Sequence, residues 1–103
     1  MIEVAPGIVW DPDDYRIERD GQETFLSACP ARIFAELVQH PNQVLSESRL
    51  LAVGWPNQVR GREDLYRQIY LLRTLIEVDH HHPYWLITRR NLGYEFHRPK
   101  TAS

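Results

Sequence analysis

Apolar residues occur in short runs, and their spacing changes character twice along the chain. Ile8-Val9-Trp10 is a brief apolar run closed by Asp11-Pro12-Asp13-Asp14, a turn-forming cluster. Tyr15-Arg16-Ile17-Glu18 alternates apolar and charged residues, the period of a half-buried strand. Asp20-Gly21 marks a tight hairpin, and Glu23 to Leu26 reads as its return strand. From Ser27 the period lengthens. Ile33, Phe34, Leu37 and Val38 recur at helical spacing, with Ser27 as the cap and Pro30 in the first turn, where a missing N–H costs little. His40-Pro41-Asn42 ends this helix, and Val44-Leu45 is a short extended link. Ser46 caps a second helix that carries Leu50, Leu51 and Val53 into Gly54-Trp55-Pro56. After a polar loop, Leu65, Ile69, Leu72 and Ile76 form one apolar stripe of a third helix over about 62–77. Arg67, Tyr70, Arg73 and Thr74 are placed largely off that stripe. Asp79-His80-His81-His82-Pro83 breaks the helix. Trp85 to Thr88 and Tyr94 to Phe96 return to strand patterning, joined by the basic turn Arg89-Arg90-Asn91-Leu92-Gly93.

The order predicts an α+β fold: an N-terminal antiparallel β-sheet, a three-helix core and a C-terminal β-hairpin, the layout of a winged helix-turn-helix. The 103 residues fit a single domain spanning 1–103, with an ordered core of about 8–97 and frayed ends at 1–7 and 98–103. With 43% hydrophobic residues, including Trp10, Trp55 and Trp85, the chain can build a modest core without staples. Cys29 is the sole cysteine, which excludes an intrachain disulfide and fits a reducing compartment. No apolar run approaches a membrane span, and residues 1–7 lack the features of a signal peptide, so the expected location is cytoplasmic, with no membrane partner.

A net charge of −2 is unusual for a nucleic-acid binder, so its distribution matters. Residues 1–59 carry four arginines against nine carboxylates, whereas residues 60–103 carry eight basic residues against five. Phosphate contact needs a locally positive face, and only the second half permits one. The chain has no glycine-rich phosphate loop, no Ser/His/Asp motif and no carboxylate pair with a reason to titrate abnormally, so it reads as a non-enzyme with no cofactor. His80-His81-His82 reads as a polar linker, because adjacent loop histidines diverge whereas metal ligands must converge.

Several segments together resemble the C-terminal effector domains of OmpR/PhoB-type response regulators, over about Ile8 to His97. They are Asp20-Gly21 followed by Leu26-Ser27, Pro41-Asn42-Gln43-Val44-Leu45-Ser46, Leu50-Leu51 with Trp55, Ile69, Leu72 and Arg73, and Thr88, Arg90, Gly93 and Tyr94. The chain departs from that pattern at Pro30, which removes a capping box, at Tyr66, Leu71 and Asn91, and at Glu63-Asp64, which puts negative charge at the start of the third helix.

The resemblance implies sequence-specific binding of double-stranded DNA in bacterial transcription regulation, as in two-component systems. The third helix would enter the major groove and the wing would meet the minor groove. On that helix Arg67 and Arg73 are the base-reading candidates, Gln68 is suited to adenine, and Tyr66 and Tyr70 to sugar, phosphate or a thymine methyl. Arg60 and Arg62 are assigned to phosphate, as is Thr88, and Arg89 and Arg90 form the basic wing, with Arg90 favoured for the minor groove. A homodimer on DNA and RNA polymerase are further expected partners. The rival reading is a winged-helix protein-interaction or oligomerisation module, favoured by the acidic balance and by Leu71 beside Tyr70 and Leu75.

Overall fold

The computed structural model describes residues 1–98. Ten elements follow in the order β1 (Ile2–Ala5), β2 (Ile8–Asp11), β3 (Arg16–Arg19), β4 (Gln22–Phe25), α1 (Ala28–Gln39), β5 (Val44–Leu45), α2 (Glu47–Gly54), α3 (Arg62–Ile76), β6 (Leu86–Arg89) and β7 (Gly93–Phe96). The first four strands form an antiparallel meander, β1-β2-β3-β4. The last two make the hairpin wing, and β5 pairs with β7 to give a second sheet, β5-β7-β6. The expected winged helix-turn-helix is therefore present.

Two parts of the sequence reading change. Residues 2–5 are not a frayed end but a strand, paired with β2 through Ile2 opposite Trp10 and Glu3 opposite Val9. Pro6-Gly7 makes the turn of this hairpin, with Gly7 at φ +77, so a Pro-Gly signal that also suits a chain end here closes a sheet. The linker Val44-Leu45 is a strand as well, with Val44 opposite Glu95 and Leu45 opposite Tyr94. The expected fraying at 98–103 lies, from residue 99 onward, outside the described residues.

The remaining elements follow their local chemistry. Asp20 and Gly21 both take positive φ, 52° and 80°, the geometry that joins two twisted strands by a two-residue turn. Ser27 precedes α1 but makes no side-chain cap bond. Ser46 does cap α2, accepting from the Arg49 N–H at 3.1 Å. At the start of α3, Asp64 Oδ2 accepts the Gly61 N–H at 3.3 Å.

One apolar core joins all layers. Ile33, Phe34 and Leu37 of α1, Leu50 of α2 and the α3 stripe of Leu65, Ile69, Leu72 and Ile76 are fully buried. Trp10 of the meander packs edge-on against Phe34 at 5.1 Å between ring centres, and Phe34 packs in turn against Phe96 of the wing at 6.0 Å. Trp55 and Trp85 pack against this core while remaining partly exposed. The wing is thus continuous with the helical core, which fixes its position relative to α3.

Candidate nucleic-acid interface

The outer half of α3 and the wing enclose an open groove of about 610 Å³, with the start of α2 forming its third wall. Arg62, Tyr66, Arg67, Thr88, Arg89 and Arg90 all line it. These six were singled out from sequence, and the fold brings them to one place. Arg67 projects from α3 with its side chain 76% exposed, and its nearest acid, Asp64, is 4.0 Å away. Arg90 stands at the wing tip, exposed. Asn91 beside it takes φ +64, a conformation that asparagine tolerates better than most residues.

Four other expected contacts lie apart from the groove. Arg60 folds back onto its own loop, donating to Gln58 Oε1 at 3.1 Å with its guanidinium 6.0 Å from the Trp55 ring centre. Gln68 is half-buried and does not line the groove. Tyr70 sits further along α3, its hydroxyl 3.0 Å from His80 Nε2.

Arg73 requires a correction. It is only 6% exposed, and its guanidinium is already engaged, with Nε donating to the Leu86 carbonyl at 3.0 Å and Nη2 to Thr88 Oγ1 at 2.8 Å. Its fork is turned inward and cannot reach a base edge. Burial pushes the guanidinium pKa down, opposed by nearby Tyr94, Tyr66 and Glu77. Arg73 instead pins β6 onto α3. Replacing it with methionine, which keeps much of the stem, is expected to cost about 2 kcal/mol of stability through the lost charged hydrogen bonds. Chemical denaturation would measure that cost, and the preferred DNA sequence should not change.

Glu77 at the end of α3 complements this pin. Its carboxylate, 3% exposed, accepts from the N–H groups of Tyr84, Trp85 and Leu86 at 2.7–3.1 Å, while Arg19 donates to its carbonyl at 2.7 Å. The loop that enters the wing is therefore held by one side chain.

Sequence reasoning noted Glu63, which lines the groove, but missed the acids that pair with its arginines. Glu47, the first residue of α2, accepts from Arg62 through both its oxygens, at 3.0 Å from Nε and 2.7 Å from Nη2. The hydrogen bond from Arg62 holds the Glu47 carboxyl below its ordinary pKa, and the same bond raises that of Arg62. Glu95 of β7, nearly buried, accepts from Arg89 Nε at 2.9 Å, which raises the Arg89 pKa. Glu47 and Arg62 are fifteen residues apart, so no local spacing announces the pair. Glu95 lies across the hairpin from Ile87, diagonal to Arg89, which strand alternation alone could have suggested. Two of the groove's arginines thus carry their own counter-charge, whereas Arg67 and Arg90 have no acid closer than 4.0 Å among the described residues.

The histidine run gathers no metal-binding cluster among the described residues. His80 meets Tyr70, His81 leans on the His80 ring at 4.1 Å between ring centres, and His82 contacts Asp79 at 2.9 Å. Cys29 lies near the α1–α2 contact with its thiol pKa raised by partial burial.

Residues 21–96 match the family described as Transcriptional regulatory protein, C terminal. Among solved structures, the DNA-binding domain of Escherichia coli CadC superposes with a TM-score of 0.80 at 23% identity, covering 94% of this chain and 91% of that one. The DNA-binding domain of CpxR from E. coli gives 0.77 at 22% identity, covering 94% and 95%. The DNA-binding domain of the response regulator AdeR, crystallised in complex with an intercistronic region, gives 0.72 at 17% identity, covering 96% and 98%.

Proposed function

This chain belongs to the family of C-terminal domains of transcriptional regulatory proteins, and from that premise we propose that it docks on a DNA duplex through the groove between α3 and the wing. Its activity is sequence-specific binding of double-stranded DNA in bacterial transcription regulation, and not catalysis. The convergence of six sequence-singled residues on one groove carries this reading. The outer face of α3 enters the major groove, where Arg67 and Tyr66 face base edges and Arg67 supplies the planar fork suited to guanine. Arg90 enters the flanking minor groove, whose negative potential holds an arginine, and Thr88 meets the backbone beside it, while Arg89 stays paired with Glu95. The likeness in fold to the AdeR DNA-binding domain, crystallised in complex with an intercistronic region, supports DNA as the ligand. The domain is a single unit over 1–103, acting in the bacterial cytoplasm, and its further partners are a second copy on DNA and RNA polymerase. Among the described residues no helix is long and apolar enough to cross a membrane.

The test is selection of bound sequences from a random duplex pool, followed by titration of the selected site. Arg67→Ala is expected to lose about 1–3 kcal/mol of discrimination at one base pair, read from affinities for a set of point-substituted duplexes. Since so few arginines of the groove lack an acid partner, the salt dependence should be shallow. A log–log slope of about −2 is expected, equivalent to roughly two phosphate contacts. Failure to enrich any sequence, with binding indifferent to salt, overturns the proposal.

A further inference from the structure

Arg62 is a second arginine whose surroundings depart from its sequence-based assignment. Its position in the loop-to-helix junction suggests a phosphate clamp. A phosphate clamp must bring uncompensated positive charge to the backbone, and here the guanidinium is held by a carboxylate through two hydrogen bonds. The pair is close to neutral, and a phosphate placed against it would also meet Glu47. Neither charge nor geometry favours that role.

The geometry suits a different one. Glu47 holds the side edge of the guanidinium, the edge formed by Nε and Nη2. The end edge, formed by Nη1 and Nη2, is the one that matches the O6 and N7 acceptors of guanine. Nη1 has no partner among the described residues, and the Arg62 side chain is 73% exposed. It projects from the first residue of α3, beside Tyr66 and Arg67 in the same groove. Residues at the start of a recognition helix are those that reach base edges. Glu47 is anchored in turn, since it begins a helix capped by Ser46 and its carboxylate favours that helix's positive end. A long side chain that would otherwise sample many rotamers is thereby held in one plane before DNA arrives, which lowers the ordering cost of binding.

We propose that Arg62 reads a guanine through its end edge and that Glu47 is the positioning residue that orients it. The inference rests on the DNA-binding reading of the groove. Within that reading it adds a second base-reading arginine beside Arg67 and a specificity-determining carboxylate outside α3.

The experiment uses the whole chain, the selected duplex, duplexes with each G·C pair replaced in turn, and a random-sequence duplex. Affinity is measured by fluorescence anisotropy across a potassium chloride series. Arg62→Ala should lose about tenfold or more in discrimination at one G·C position while leaving the salt slope nearly unchanged. Glu47→Gln should weaken discrimination at that same position. It should also raise affinity for the random duplex and steepen the slope by about 0.9, because the freed arginine can then turn to phosphate. In an Arg62→Ala background, Glu47→Gln should have no effect on discrimination at that position. Far-ultraviolet circular dichroism and thermal melts of both variants identify any loss of fold, which would affect every duplex alike. If Arg62→Ala weakens all duplexes equally and the slope falls by about 0.9, Arg62 is a phosphate clamp and the inference is overturned. If Glu47→Gln leaves discrimination at the Arg62-dependent position intact, the positioning role is overturned. If the parent chain binds no duplex at all, the DNA reading of the groove fails and this inference falls with it.

Discussion

Alanine at position 77 is expected to lower the unfolding free energy by about 4 kcal/mol, because three backbone donors lose their acceptor at once. For a domain of this size that corresponds to a fall in Tm of roughly 15–30 °C. Glu77 follows the last turn of α3, and both its carboxylate oxygens accept from the segment that enters the wing: Tyr84, Trp85 and Leu86. A buried N–H without a partner carries its desolvation cost in full. Truncation would leave these groups facing a cavity, and water could reach only some of them. Glu77→Gln separates the causes. Glutamine keeps one acceptor oxygen but sets an amide donor against a backbone donor, so an intermediate loss of about 2 kcal/mol is expected. Thermal melts measure both variants. Hydrogen exchange at Tyr84, Trp85 and Leu86 should accelerate far more than exchange in the N-terminal meander.

Gly93→Ala should be comparably severe, at about 3–5 kcal/mol, from the sum of backbone strain and collision. A Cβ at Gly93 would lie 1.9 Å from the Leu45 carbonyl oxygen and 2.8 Å from the Leu45 carbonyl carbon, and the residue sits at φ +145. The obstacle is backbone of the partner strand, so no rotamer change can relieve it. The pairing of β5 with β7 would have to open. Gly21→Ala is the matched control. It also has positive φ, +80, but its Cβ would meet nothing within 4 Å, so only the conformational cost of about 1–2 kcal/mol remains. Equal Tm losses for the two variants would refute the collision argument. Amide chemical shifts should change at Val44, Leu45 and Ser46 in the Gly93 variant alone.

The two large effects fall on residues whose importance a linear reading hides. The α3 stripe was legible because Leu65, Ile69, Leu72 and Ile76 repeat on one face. The same arithmetic should have warned about Arg73, which follows Ile69 by four positions and therefore shares its buried face. Arg73 has the charge of a DNA contact at the position of a core residue. Arg67, two positions after Leu65, points to the opposite side and is exposed as expected. The hairpin at Asp20-Gly21 and the basic wing turn were legible from turn chemistry. The strand Ile2–Ala5 was not, since four residues before Pro-Gly carry too little period to separate a strand from a loose end. Glu47 and Glu95 were invisible as site residues because their partners are set by tertiary packing: the α2–α3 corner in one case and a cross-strand diagonal in the other. The reduced positive charge of the groove is a property of those pairings.

The wing is tied to α3 by the Arg73 guanidinium and the Glu77 carboxylate, and to α1 by the Phe34–Phe96 contact. A hairpin so tethered cannot swing independently, and the span from Arg67 to Arg90 acts as a rigid ruler. In the proposed docking, inserting one base pair between the steps assigned to these two arginines would be absorbed by twisting or bending of the duplex, and not by the protein. Groove spacing would then join base identity in setting how far a target can drift before this domain lets go.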